Sequence, residues 1–173
     1  MKRWWWNFPG VFSSEICEHV IKTGLTYKSQ DGLVNPKKGS LGEKDPIRKS
    51  TVRWLNKHDS RLEHFFKVLD HCIELANIKC FDFDLSTYHE LQFTEYDGQA
   101  EEKGHYNWHQ DRLFDQADGP QVRKLSLVVQ LSNPKDYEGG SLNFQYPAKD
   151  LTKDAFIQQG SVVVFPSFAF HRV

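Results

Sequence analysis

His109 and Asp111, in the run His105-Tyr106-Asn107-Trp108-His109-Gln110-Asp111, form a His-x-Asp pair. On an extended strand, residues two apart project from one face, so this imidazole and this carboxylate could meet a single ion. His171 follows the apolar run Val162-Val163-Val164-Phe165 and is placed to bring a second imidazole from another strand. Two imidazoles and one carboxylate on one side of an ion leave the opposite positions open, the arrangement a non-haem iron(II) site needs to take a co-substrate and oxygen. A His-x-Asp pair alone is a weak signal in a chain with 8 His and 23 Asp and Glu. Its setting strengthens it, because both His-bearing segments adjoin strand-like stretches. The turns Glu138-Gly139-Gly140 and Gly160 between them suit strands that fold back into closed β-structure.

Other chemistries find fewer residues. His19, His58, His64, His71 and His89 read as surface or hydrogen-bonding side chains. His105 and His109 could act as zinc ligands one turn apart on a helix, yet no Glu stands beside His105, and Gly104 with the flanking aromatics suits a strand better. No Gly-rich phosphate loop, GxSxG elbow or Cys-His nucleophile pattern is present. Tyr96 and Tyr106 read from spacing alone as strand aromatics that fill a barrel.

The elements that must position this triad follow from the hydrophobic pattern. Ser13 caps a first helix carrying Ile16, Val20 and Ile21 on one face, with Gly24 as its stop. A second helix after Asp59 presents Leu62, Phe65, Phe66, Leu69, Cys72, Ile73 and Ala76 as one apolar stripe that needs a sheet to cover. Strands are expected at Leu91–Tyr96, Leu125–Leu131, Leu142–Tyr146 and Ser161–Phe165, separated by Asp97-Gly98, Asn133-Pro134, Gly139-Gly140 and Gly160. Residues 28–50, rich in Lys, Gly, Asp, Asn and Pro, read as a long surface loop, either a lid or a plain connection. The Trp4-Trp5-Trp6 run reads as core or edge-covering.

At 173 residues the chain fits one domain that buries a core without staples. The reading is one α+β domain over 1–173, with 1–80 as helical support and 81–173 as the β-rich core. Lys and Arg number 22 against 23 Asp and Glu, a net charge of −1, so no global basic field exists for non-specific nucleic-acid binding. The 3 cysteines, Cys17, Cys72 and Cys80, have neither metal nor redox spacing and read as core thiols of a reducing compartment. No signal peptide or apolar run of about 20 residues is evident. A soluble, cytoplasmic protein with no membrane partner is expected, and its oligomeric state is left open.

Residues 91–173 resemble the prolyl 4-hydroxylase-like branch of the iron(II)/2-oxoglutarate-dependent dioxygenases, especially phage and bacterial members. The likeness is carried by "LQFTEYDG", "WHQD", "RKLSLVVQLS", "YEGGSLNF" and "GSVVVFPSFAFHRV", and extends to the Phe12–Ile21 helix and to "IRKSTVRWL". It implies a double-stranded β-helix, or jelly-roll, core with the N-terminal helices packed on one sheet. The implied metal ligands are His109, Asp111 and His171. Tyr96, Tyr106 and Leu142 match co-substrate pocket positions, whereas Val129 stands where some relatives place a tyrosine. Iron(II), 2-oxoglutarate as co-substrate and ascorbate as an optional addition are implied, with molecular oxygen and a peptide or small-molecule substrate as partners. The implied reaction is hydroxylation of an unactivated C–H bond, of a prolyl residue first and of a free amino acid next. The segment 112–122 and the 28–50 loop would rim the substrate.

The family's basic residue, about ten positions beyond the distal His, has no counterpart before Val173, so the reading expects a C-terminal truncation. Arg123 and Lys124 are the nearest basic residues, with Lys124 the candidate replacement anchor. The alternative to an enzyme is a metal-holding jelly-roll module without 2-oxoglutarate turnover.

Overall fold

In a computed structural model, which describes residues 4–34, 45–86, 91–111, 123–145 and 156–173, Ser13 opens the first helix as its sequence predicts. Its hydroxyl accepts the N–H of Ile16, and Glu15 sits in the positively polarised first turn. This helix, α1, spans Ser14–Leu25, so Gly24 lies inside its last turn instead of stopping it. A side chain at Gly24 would meet the Phe93 ring at 2.8 Å; the glycine is there for close packing. Asp59 accepts from the N–H of Arg61 to begin a short 3-10 turn, and α2 follows at Glu63–Ala76. Phe65, Phe66, Leu69, Cys72 and Ala76 are its buried stripe.

The first 80 residues also supply strands: β1 (Trp6–Phe8), β2 (Gln30–Asp31), β3 (Arg48–Lys49) and β4 (Thr51–Leu55). These are too short, or too polar, for period-two alternation to reveal them. The remaining strands are β5 (Leu91–Glu95), β6 (His105–Tyr106), β7 (Leu125–Val129), β8 (Asn143–Phe144), β9 (Val162–Pro166) and β10 (His171–Arg172). Every named pairing is antiparallel. One sheet runs β1-β9-β7 and another β2-β4-β5, while β3 pairs with β6 and β10 with β8. Reciprocal backbone bonds between Tyr106 and Val173, and between His109 and His171, join the last two pairs into the order β3-β6-β10-β8. Of the 28–50 segment, both ends are built into sheets by β2 and β3, and its middle lies outside the described residues. The 112–122 segment lies outside them as well.

Strand β9 is the centre of the molecule, buried along its whole length. Val162 and Val164 face the helices in one cluster with Phe12, Val20, Leu62, Phe65 and Leu69, which also takes in Leu55 and Phe93 of the β2-β4-β5 sheet. Val163 and Phe165 face the other way, toward Leu142, Phe156, Ala169 and Phe144. Burial of each such side chain contributes about 1.5–3 kcal/mol, and burying both faces explains why this strand reads as an unbroken apolar run. Trp6 and Phe8 pair across from Val164 and Val162 and cover the sheet edge, Trp5 packs against the second cluster, and Trp4 is exposed. The described residues form an α+β structure with antiparallel sheets, and no helix among them is long and apolar enough to cross a membrane.

The turn before β9 depends on Gly160. Its φ is +77°, and an added Cβ would lie 1.9 Å from the Phe12 carbonyl oxygen. Its own N–H and carbonyl bond to Gln130 and Phe12, so the turn cannot shift without breaking both. Gly160→Ala is expected to destabilise the chain by about 2–4 kcal/mol, read as a lowered urea midpoint at unchanged m-value.

Candidate metal centre

His109 and His171 are direct cross-strand neighbours. Each donates its backbone N–H to the other's carbonyl at 3.0 Å, so both side chains leave the same face. Asp111, two residues on, returns to that face, and its N–H is fixed by the carbonyl of Ser167 at 2.9 Å. The ligand-type atoms of the three side chains lie within 4.8 Å of one another. Among the described residues, no other group of three His, Cys, Asp or Glu side chains converges in this way.

Each imidazole is held in a defined tautomer. Nδ1 of His109 lies 2.7 Å from the carbonyl of Asn107, and Nδ1 of His171 lies 3.0 Å from that of Ala169. A carbonyl only accepts, so Nδ1 carries a proton in both rings, and Nε2 is the atom left to take an ion. Those Nε2 atoms stand 3.5 and 3.7 Å from the two carboxylate oxygens of Asp111. One divalent ion with bonds of about 2.1 Å could take all three donors. The donor set of two imidazole nitrogens and one carboxylate, confined to one side, fits an iron(II) site with open positions.

The electrostatics keep the donors ready. Burial pushes the Asp111 carboxyl upward, but hydrogen bonds and charge from His109, His171 and Ser126 outweigh it and hold it well below the usual carboxylate range. Asp111 is therefore an anion. Burial pulls the His171 imidazole below its ordinary value, against the opposing pull of Asp111. Phe165 packs edge-on to that ring at 4.8 Å and walls it from water.

Tyr106 reaches the site through a break in alternation. Tyr106 and His109 are three positions apart, whereas their partners Val173 and His171 are two apart, so one extra residue is accommodated at Asn107-Trp108. The N–H of Asn107 turns outward to Ile47, and that of Trp108 is taken by the side chain of Asn107. This is a β-bulge, a feature that re-aims side chains. Strict alternation would put Tyr106 on the face opposite His109; with the bulge, the two rings stack at 3.4 Å, 10° from parallel. Arg48, paired across from Tyr106 in β3, lies over the other side of the phenol at 4.5 Å. Tyr96 is also close, its phenol pushed up to about 12, chiefly by burial and in smaller part by Tyr106 and Asp111, against the opposing pull of Arg48. Burial likewise raises Tyr106. Both phenols keep their protons and can donate. Leu142 packs with Phe156, Val163, Phe165 and Ala169 between the layers.

His105 lies on a strand, as Gly104 and the flanking aromatics suggest, with Nδ1 2.9 Å from the Lys103 carbonyl and Nε2 2.9 Å from that of Pro46. Val129 packs against the helix-side core with Leu125 and Leu127, while Val128 joins the other cluster. A tyrosine at Val129 would face away from the triad. Lys124 Nζ donates to the carbonyl of Asp84, and Arg123 donates to that of Asp111. Arg48, Ser126 and Asn107 were not singled out by sequence reasoning; the one available signal was the likeness of the "IRKSTVRWL" segment.

Residues 91–173 match the family model of the 2OG-Fe(II) oxygenase superfamily. That stretch is similar to this superfamily, and the match covers just under half of the chain. Over 87 residues, 49% of the chain, the sequence is 37% identical to a PKHD-type hydroxylase of Crocosphaera subtropica. A PKHD-type hydroxylase of Synechococcus sp. is 40% identical over 68 residues. The matched regions span 36% and 29% of those relatives' own lengths. Three solved structures share the fold across 98% of the chain. They are a Pseudomonas putida prolyl-4-hydroxylase (TM-score 0.64, 18% identity, 84% of that chain) and a viral collagen prolyl hydroxylase of Paramecium Bursaria Chlorella virus-1 in a 2OG complex (0.63, 19%, 87%). The third is a Trichoplax adhaerens prolyl hydroxylase with a hypoxia inducible factor peptide fragment (0.64, 16%, 76%).

The two carbonyls facing His105 make its stability contribution pH-dependent. Donation to Lys103 and then to Pro46 raises its pKa, helped by Glu102 and opposed by burial and Lys49. A raised folded-state pKa gives stabilisation that is full below the unfolded value of about 6.5 and fades as pH rises through the folded value. The difference in Tm between the native chain and His105→Leu should be larger at pH 6 than at pH 9. An equal difference at both would show that the ring is not held as an imidazolium.

Proposed function

We propose that this chain is an iron(II)- and 2-oxoglutarate-dependent oxygenase of the prolyl hydroxylase type, with His109, Asp111 and His171 as its metal ligands. The observation that carries the reading is the convergence of two Nδ1-locked imidazoles and one anionic carboxylate from adjacent strands. The sheets β1-β9-β7 and β3-β6-β10-β8, with an apolar layer between them, are read as facing layers of a jelly-roll with the helices packed outside. The stacked Tyr106, the buried Tyr96 and the apolar Leu142 are assigned to the co-substrate pocket.

When bound, iron(II) with 2-oxoglutarate and oxygen supplies the oxidising power for hydroxylating an unactivated C–H bond, with decarboxylation of the co-substrate to succinate. The protein's part is positional. Asp111 contributes the negative charge of the ligand face, and the two neutral imidazoles complete it without further charge. Protonated Tyr96 and Tyr106 offer O–H donors to an anionic co-substrate, where each hydrogen bond to a charged group contributes about 1.5–3 kcal/mol. Phe144 and Phe165 exclude water behind His171. No side chain is needed as a general base. The substrate proposed is a prolyl residue in a peptide, with a free amino acid as the second choice. The relatives named for prolyl hydroxylation and the peptide held by the Trichoplax protein support this.

Anaerobic addition of iron(II) and 2-oxoglutarate should produce a visible charge-transfer band, absent in His109→Ala. Iron binding without the band would instead favour a metal-holding module. Tyr96→Phe should weaken 2-oxoglutarate binding roughly 10- to 100-fold, read by titrating that band, while leaving iron binding in place.

A further inference from the structure

We propose that Arg48 is a positioning residue that holds the Tyr106 ring against His109 and so sets the phenol where the co-substrate meets it. The inference rests on the reading of Tyr106 as a co-substrate contact. Arg48 and Tyr106 are cross-strand partners in β3 and β6. The Tyr106 ring stacks on that of His109 at 3.4 Å, 10° from parallel, and the Arg48 guanidinium carbon lies over the same phenol, 4.5 Å from its centroid. A guanidinium on the His109 side would overlap the imidazole at these distances, so the phenol is held between the two. The negative face of an aromatic ring attracts a cation, and the guanidinium, being planar, can lie flat against it.

The guanidinium is itself fixed, which is what lets it fix the ring. Nε donates to the Ser50 hydroxyl at 2.9 Å, one terminal nitrogen to the Leu33 carbonyl at 3.1 Å and the other to the Gln92 side-chain oxygen at 3.0 Å. Leu33 stands just past β2 and Gln92 lies on β5, so the acceptors belong to the β2-β4-β5 side of the molecule, whereas Tyr106 belongs to the strands that carry the metal ligands. Gly32 makes room for this arrangement: a Cβ there would lie 2.6 Å from Arg48 Nε. Gly32 is not among the glycines with positive φ, so space and not backbone conformation is what an alanine would violate. A tyrosine stacked on one side only could still tilt away about its side-chain torsions. The three-point hold on Arg48 closes the other side, and with it the direction in which the phenol O–H points.

A merely structural Arg48 would tie the two sets of strands together, lowering stability when removed without changing what Tyr106 does. The test titrates 2-oxoglutarate into the anaerobic iron(II)-loaded chain, followed by the charge-transfer band, with iron(II) affinity and Tm measured beside it. Arg48→Gln removes both the cation and its planar fork, whereas Gly32→Ala keeps the arginine and displaces it. Both should weaken 2-oxoglutarate binding roughly 5- to 30-fold, as loss of a partly desolvated cation–π contact predicts, with iron(II) affinity within about twofold of native. In a Tyr106→Leu chain, where the ring to be positioned is gone, adding Arg48→Gln should change the affinity by less than about twofold. Should Arg48→Gln not fold, Gly32→Ala takes its place in that comparison. A lowered Tm with native 2-oxoglutarate affinity in both variants would overturn the proposal in favour of the structural role. So would an undiminished effect of Arg48→Gln in the Tyr106→Leu chain, which would make Arg48 a direct contact of the co-substrate. Native affinity in Tyr106→Leu alone would overturn the pocket assignment of Tyr106 and this proposal together. A native chain that binds iron(II) and gives no band would overturn the co-substrate reading before any residue is changed.

Discussion

The reciprocal backbone bonds between His109 and His171 are the constraint on which the chemistry of this chain depends. They make two residues far apart in sequence immediate neighbours and oblige their side chains to leave one face together. A slip of one residue would turn every side chain of the strand to the other face and dissolve the triad. Two further contacts guard that register, the Tyr106–Val173 pair on one side and the Asp111–Ser167 bond on the other. The reach of the last strand is fixed in turn by β9, whose two buried faces admit only one orientation.

Placing a carboxylate in such a setting carries a cost that the surroundings offset. Desolvation alone would drive Asp111 toward its neutral acid, yet two imidazoles and a hydroxyl facing it keep it ionised. Both imidazoles and the carboxylate direct ligand-type atoms into the same small space. A divalent cation satisfies them at once. Metal binding and tertiary order are thus coupled here, as they are wherever a site draws its ligands from separate strands.

Several elements could not be seen from the chain alone, for identifiable reasons. β2 and β3 are two-residue strands of polar residues, and they exist because their partners' edges are available, not because of their own propensity. Gly24 looked like a helix stop because glycine weakens helices, but close packing against Phe93 governs its presence. Val129 was aligned to a pocket position by likeness, and the alternation along β7 assigns that face to Val128 instead. By contrast, α1, α2 and the apolar strands β5, β7 and β9 were legible, each carrying a strong period or an unbroken apolar run.

The sequence by itself determined the types and the local spacing of the chemical groups. A His and an Asp two apart on an extended segment must share a face, whatever the rest of the chain does, and the long apolar stripes must find cover. Tertiary structure alone decided which groups meet. The bulge at Asn107-Trp108 that turns Tyr106 onto His109, the stacking of Arg48 on that ring and the bond from the Asp111 N–H to Ser167 each depend on how one strand pairs with another. Such contacts depend on register between elements, and register is set by packing across the whole core, which no local window of the chain contains.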